Sequence, residues 1–348
     1  MAPRVAILGA GAFGPAGRTA AETVRLMRTG LPAVTAAPFD DGTGAAVTMG
    51  VAPGLGDRAG ADRLTELAVR AGRACLEDAH ARVSAGQGGP PNPRVGVSLG
   101  YSPAELASAA DARVLQQGLA RALELPKGAP LEVGLDAERT LGDRLATAVD
   151  WIARGEVDWA LVGGVHSDFG AARIAALAAR GALFTPEAAD APFPGEQAAF
   201  VALARRAAAP HAELVVASAA DGPREGAEAW DVTVDLLRAA LPEETLTAGL
   251  APRMGWIFSD LAFDAAAFRE EGALLTRAQR YFEAPHRLDH PAQRIGALGA
   301  ATVPLGLACV TASCRMGLVP SPAALVTSSN ERGRRSLAIV RWVTSLLA

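Results

Sequence analysis

The chain is poor in the residues that staple small folds, span membranes or grip polyanions. Three cysteines, Cys75, Cys309 and Cys314, stand among 348 residues. That is too few for a disulfide framework and fits a reducing, cytoplasmic setting. Cys309 and Cys314 fall in an apolar helix-like run without His, Asp or Glu at ligand spacing, so they read as filler and no metal is expected. No apolar run approaches the ~20 residues of a membrane span, so no membrane partner is expected. The net charge is −4 and the positive residues are scattered. Without a basic stripe, no nucleic-acid partner is expected either. The first residues pass straight into an apolar strand and a glycine run, which does not read as a signal peptide.

What is present is apolar mass: half of the residues are hydrophobic. That is enough for one large domain or two tightly joined halves. The segment 135–167 is the most informative. Leu141, Leu145, Val149 and Ile152 recur at helical spacing, Gly155 stops the helix, and Trp159–Val162 is a buried strand closed by Gly163 and Gly164. Glu138 stands at the start of that helix, where free N–H groups and the dipole favour negative charge.

The remaining order is strand and helix in alternation. Val5–Leu8 is a strand, followed by Gly9, Gly11 and Gly14 and a helix over about 19–29. This glycine run matches a dinucleotide-binding turn, which keeps an NAD(P)-binding oxidoreductase open as an alternative. Pro15 and Gly17 interrupt the helix start, and the second strand with an acidic end is missing. Residues 39–60 read as loop, 63–79 as helix, 94–100 as strand, 104–110 and 112–123 as helices. After the small-residue helix 171–180 comes a strand over 198–203. Residues 205–210 look like a joint. Beyond it the pattern repeats: strand 213–218, helix near 225–240, strand 254–259, a turn at Gly296 and Gly299, helix 303–312, and strands 323–326 and 336–342. Two like successions imply an internal duplication, with halves at 1–207 and 211–348.

This ordered set resembles the β-ketoacyl synthases of the thiolase-like superfamily. GEVDWALVGGVHS (155–167) is similar to the strand after the family's nucleophile helix. VAILGAGAFGPAG, PRVGVSLG, PFPGEQAAFVALARR, IGALGAAT and ALVTSSNERGRRSLAIV resemble further family segments, Gln197 standing where glycine is usual. The resemblance implies an α/β, thiolase-like fold of two duplicated halves in layered αβαβα form. It also implies a dimer, no cofactor, and as partners an acyl carrier protein and an intact ketosynthase subunit.

The family condenses acyl thioesters with one cysteine and two histidines. By the resemblance those positions fall on Glu138, Asp260 and Gly296. Gly299 and Gly333 fall in the substrate-binding segments, and Arg332, Arg334 and Arg335 occupy a loop that is usually Gly-Gly-x-Asn. A carboxylate attacking a thioester would give an anhydride, so Glu138 is no substitute for cysteine. Asp260 as a carboxylate would repel a developing enolate, and Gly296 offers no side chain. The expected function is a non-condensing accessory subunit, similar to chain-length factors, in fatty-acid or polyketide assembly. An acyl-thioester-processing enzyme using Glu138 and Asp260, two carboxylates that can share a proton when close, is the alternative. His286 and His290 lie on an apparent loop that could bring an imidazole to the site.

Overall fold

A computed structural model describes residues 5–344 apart from 87–89, 103–107, 186–187, 206, 208–210, 224–225, 227, 250, 263 and 331. The strands are β1 (Val5–Phe13), β2 (Thr35–Asp40), β3 (Ala46–Met49), β4 (Val95–Ser102), β5 (Leu131–Leu135), β6 (Trp159–Ser167), β7 (Glu196–Ala204), β8 (His211–Ala220), β9 (Met254–Phe258), β10 (Phe282–Asp289), β11 (Ala323–Ser329) and β12 (Arg335–Val343). The helices are α1 (Ala20–Thr29), α2 (Gly60–Ser84), α3 (Ala109–Ala122), α4 (Leu141–Arg154), α5 (Ala171–Ala179), α6 (Ala229–Ala240), α7 (Glu243–Thr247), α8 (Ala265–Arg277), α9 (Ala292–Ile295) and α10 (Thr302–Arg315).

Ten strands form one sheet in the order β10-β9-β11-β12-β8-β1-β7-β6-β4-β5. Counted within each run, β1–β4–β5–β6–β7 and β8–β9–β10–β11–β12 give the same spatial order, third-second-fourth-fifth-first. The pairings match as well. β4 lies parallel to β5 and β6 as β9 lies parallel to β10 and β11, and the first and last strands of each run pair antiparallel. An antiparallel β1–β8 contact joins the two runs.

Side chains alternate across these strands, which fixes the layers. Val5, Ala160 and Val162 join Phe258, Ala338 and Val340 around α1, α4 and α10 in one cluster. On the opposite faces, Leu161, Trp159 and Phe200 pack against α2 and α3, and Ile257, Leu337 and Ile339 against α6 and α8. The two five-strand halves of the sheet thus alternate with three layers of helix, the αβαβα layering of a thiolase-like fold. Leu161 is wholly buried, and cutting such a side chain to alanine costs about 2–5 kcal/mol.

Several local expectations change. Gly9 and Gly11 lie inside β1, not in a turn after it. A Cβ on Gly9 would overlap the Cys75 carbonyl, and one on Gly11 the Ala71 carbonyl. These glycines let α2 lie directly on the strand. A phosphate-cradling turn needs glycines between strand and helix, and a dinucleotide fold flanks its first strand with parallel neighbours. Both neighbours of β1 are antiparallel, so the glycine run is no dinucleotide site.

Gly163 and Gly164 likewise do not end β6, which runs on to Ser167. The Phe200 ring fills the space a Cβ on Gly163 would need, and the Ala300 carbonyl sits where a Cβ on Gly164 would be. Part of the expected 39–60 loop is the β2–β3 hairpin. The segment holding His286 is the edge strand β10. Of the expected helix 104–110, residues 104–107 lie outside the described residues, as do 206 and 208–210 of the expected joint and the start of the helix near 225. Among the described residues no helix is long and apolar enough to cross a membrane.

Candidate functional site

The turn between β5 and α4 carries Glu138. The helix begins at Leu141 rather than at Glu138, because Thr140 and Asp143 form a capping box. The Thr140 N–H donates to Asp143 Oδ2 at 3.0 Å, and Arg334 grips the same carboxylate at 2.6 and 2.9 Å. Burial works against the charged Asp143, but Arg334 and Thr140 outweigh it and hold its carboxyl below the usual range. The positive end of α4 is therefore already matched by Asp143. Glu138 is exposed on the turn before it. Its neighbour Arg139 pairs with Glu132 at 2.9 Å, not with Glu138.

Asp260 follows β9 and accepts the Ser329 N–H at 2.6 Å and its hydroxyl at 3.3 Å. Its surroundings are dense. Desolvation pushes the carboxyl up to about 6 against the Ser329 N–H, and the nearby Glu270 charge adds to the rise. The next residue, Asn330, donates its amide to the Asp136 carbonyl at 2.9 Å. The 329–330 segment thus ties Asp260 to the turn that carries Glu138. Among the described residues, no hydrogen bond or ion pair joins Glu138 to Asp260. The cavity beside Asp260, lined also by Thr233, Ser259 and Glu270, measures about 40 Å³. A small-molecule site needs roughly 300 Å³ or more.

Gly296 caps α9 with φ +83°. A Cβ there would overlap the Pro194 carbonyl and crowd Gly195, so the backbone leaves no room for an imidazole. Gly333, at φ +85°, closes a turn whose N–H donates to the Asn330 carbonyl at 3.0 Å. The Asn330 side-chain oxygen accepts the N–H groups of Arg332 and Arg334 at 2.9 and 3.0 Å. His286 is exposed on β10 and meets the Glu283 carbonyl at 3.2 Å. His290 pairs with Glu271 at 2.9 Å, and Glu271 also accepts the Ser259 hydroxyl at 2.9 Å. His290 therefore reaches the neighbourhood of Asp260, through a carboxylate.

A second polar cluster lies where β4 and β6 end together, and it was not singled out in the sequence. The parallel register places Ser102 opposite His166. Ser102 Oγ is 2.9 Å from His166 Nδ1, and His166 Nε2 is 2.9 Å from Asp168 Oδ2. Arg173 donates to the other Asp168 oxygen at 2.8 Å, and the Gly195 N–H donates to Oδ2 at 3.1 Å. Burial alone would raise the Asp168 carboxyl, but His166 and Arg173 hold it far below the usual carboxylate range. The Ala300 N–H donates to Ser102 Oγ at 2.9 Å. Gly299 (φ +44°) passes so close that a Cβ on it would overlap both Ser102 Oγ and His166 Nδ1. Of the sequence-predicted positions, Gly299 alone abuts this cluster. Ser-His-Asp spacing gave no local motif, because the pairing of β4 with β6 brings Ser102 to the other two.

No family model and no curated protein matches the sequence. Solved structures do match. A ketosynthase from module 6 of the bacillaene synthase of Bacillus subtilis 168 superposes with TM-score 0.75 at 17% identity, over 98% of this chain and 72% of that one. The ishigamide ketosynthase/chain length factor gives 0.67 at 20% identity, over 98% and 99%. AntDE:AntF, a type II PKS acyl-carrier protein in complex with its ketosynthase bound to the hexaketide, gives 0.69 at 18% identity, over 99% and 100%. The chain has the ketosynthase form of the thiolase-like fold.

Within that ketosynthase fold no thiol is placed to act as a nucleophile. Cys75 and Cys309 are wholly buried and their thiols are pushed far up by desolvation. Burial raises Cys314 to about 12. Gln197, at the usual glycine, is buried and donates to the Phe13 and Ala198 carbonyls at 3.1 and 2.8 Å. Its amide fills the space that Gly14 leaves empty.

Proposed function

We propose that this protein is a non-condensing accessory subunit of a polyketide or fatty-acid assembly system, akin to a chain-length factor. The observation that carries the reading is Gly296. Its backbone, closed against Pro194 and Gly195, supports the absence of one imidazole on steric grounds and not only by sequence. Glu138 on an exposed turn and Asp260 held by Ser329 supply neither the thiolate nor the second imidazole. The carboxylate-enzyme alternative draws less support, because Glu138 and Asp260 do not hydrogen-bond and the cavity at Asp260 is small.

The partners in this reading are an intact ketosynthase subunit and an acyl carrier protein. The contact would use the free side of β5, the terminal strand of the sheet. Such an edge exposes unpaired backbone groups that a second strand can pair. Division of the chain into halves at 207 and 211 belongs to the same proposal. The reading places the protein in the cytoplasm.

The test is reconstitution. The protein alone, incubated with acyl and malonyl thioesters, is expected to give no β-ketoacyl product. Mixed with a type II ketosynthase and its acyl carrier protein, it should co-elute as a dimer and alter product chain length. Condensation by the protein alone would overturn the proposal. So would a stable monomer that leaves the partner enzyme's products unchanged.

A further inference from the structure

The Ser102–His166–Asp168 cluster is not used by the proposed function, and its hydrogen bonds have a direction. Asp168 is an ionised carboxylate and can only accept, so His166 Nε2 must carry a proton and donate to it. In the neutral imidazole this leaves Nδ1 as an acceptor. The Ala300 N–H already donates to Ser102 Oγ, so the hydroxyl proton is free to point at Nδ1. Each step of the relay is thereby set: serine to imidazole to carboxylate, with Arg173 and the Gly195 N–H fixing the carboxylate. Exposure falls along the same line, from 9% at Ser102 to 4% at His166 and 2% at Asp168. All three residues are buried, Ser102 least so.

We propose that Ser102 is an acyl-accepting nucleophile, with His166 as its general base and Asp168 as a positioning residue, and that its substrate is an acyl thioester. The relay stands on its own geometry; the choice of thioester rests on the function proposed above. In the first step Ser102 Oγ bonds to the thioester carbonyl carbon and His166 Nδ1 takes the hydroxyl proton. The Ala300 N–H, which donates to Ser102 Oγ, holds the hydroxyl oxygen in place. The C–S bond then breaks and the leaving sulfur takes the proton from His166, giving an acyl-serine ester and a free thiol. Water activated by the same nitrogen cleaves the ester, releasing a carboxylic acid and restoring Ser102. Only glycine fits at 299, because any Cβ there would overlap both Ser102 Oγ and His166 Nδ1.

The test is labelling of the full chain with a fluorophosphonate, which reports an activated serine without requiring a thioester. Intact and peptide-resolved mass spectrometry should place the adduct on Ser102. The adduct should vanish in Ser102→Ala and fall at least tenfold in Asp168→Asn, each checked for a native melting transition. Should Ser102→Ala fail to fold, Ser102→Cys replaces it. The introduced thiol should be alkylated by iodoacetamide at neutral pH well before the three buried native thiols. An unlabelled Ser102 in the folded protein, or an introduced thiol as inert as the native ones, would overturn the relay. In a second arm, an acyl-N-acetylcysteamine thioester should acylate Ser102 and release acid. Phosphonate labelling without thioester acylation would overturn the substrate class and leave the relay intact.

Discussion

Two regions of the molecule offer opposite lessons about where chemistry is lodged. The positions proposed to stand for a ketosynthase's reacting groups lie on connections: Glu138 on a turn, Asp260 beyond a strand end, Gly296 at a helix cap. Each has its neighbours tied to capping or turn-closing bonds. The Ser102–His166–Asp168 cluster stands on the ends of two paired strands, locked by register and closed over by Gly299 and Ala300. Connections can drift in sequence while the sheet stays; paired strand ends cannot move without moving the sheet. The contrast predicts large effects around the second region and small ones around the first.

The largest should come from Glu196→Ala. Glu196 is buried at the start of β7, bridged by Arg63 at 2.5 and 2.7 Å. It also accepts the Ala52 N–H at 2.6 Å and the Ser167 hydroxyl at 3.0 Å. Removing one partner of a buried pair strands the other charge, at a cost of about 3–5 kcal/mol. Chemical denaturation would measure it, and a loss under about 1 kcal/mol would dissolve the contrast. Next is Gly164→Ala. The new methyl would meet the Ala300 carbonyl, and overpacking of that kind costs about 1–3 kcal/mol. It should also pull the Ala300 N–H from Ser102, seen as loss of fluorophosphonate labelling in a protein that still folds.

Asp260 gives a pH-dependent effect of intermediate size. Its folded pKa is raised to about 6 from 3.8, so the folded state binds the proton more tightly than the unfolded chain. The stability this contributes is full below about pH 4 and is lost as pH rises through 6, leaving a desolvated carboxylate at neutral pH. Asp260→Asn keeps an oxygen for Ser329 and removes the charge. It should raise stability at pH 7.5 by about 1–2 kcal/mol relative to wild type and have little effect at pH 4. An equal shift at both values would contradict the assignment. The smallest effect belongs to Glu138→Ala, an exposed turn residue, at within about 0.5 kcal/mol in either direction.

How much of this was legible in the sequence follows from burial. The central strands β4, β6, β7, β11 and β12 announce themselves as apolar runs because both of their faces are covered. The third strand of each run, β5 and β10, carries no apolar run to mark it as a strand. Both are sheet edges, with half-exposed or alternating burial and charges such as Glu132 and Arg287. Gly9 and Gly11 suggest a turn because glycine usually signals one. Here they answer a close helix, a fact about α2 that lies about 60 residues away. At the candidate site, the proposed loss of thiol and imidazoles rests on the resemblance, which puts Glu138, Asp260 and Gly296 at the reacting positions. The relay was only half visible: His166 lies in β6 and Asp168 follows just past the strand's end. Ser102 joins them through a pairing that the sequence does not display.

The central claim, that the ketosynthase position has lost its chemistry through more than one missing group, is tested most directly by Glu138→Cys. The measurement is product analysis by mass spectrometry after incubation with acyl and malonyl thioesters. The account predicts at most a trapped acyl group on the introduced thiol and no β-ketoacyl product, since Asp260 and the closed backbone at Gly296 supply no imidazole for the enolate. A malonyl-dependent condensation product from this single substitution would contradict it.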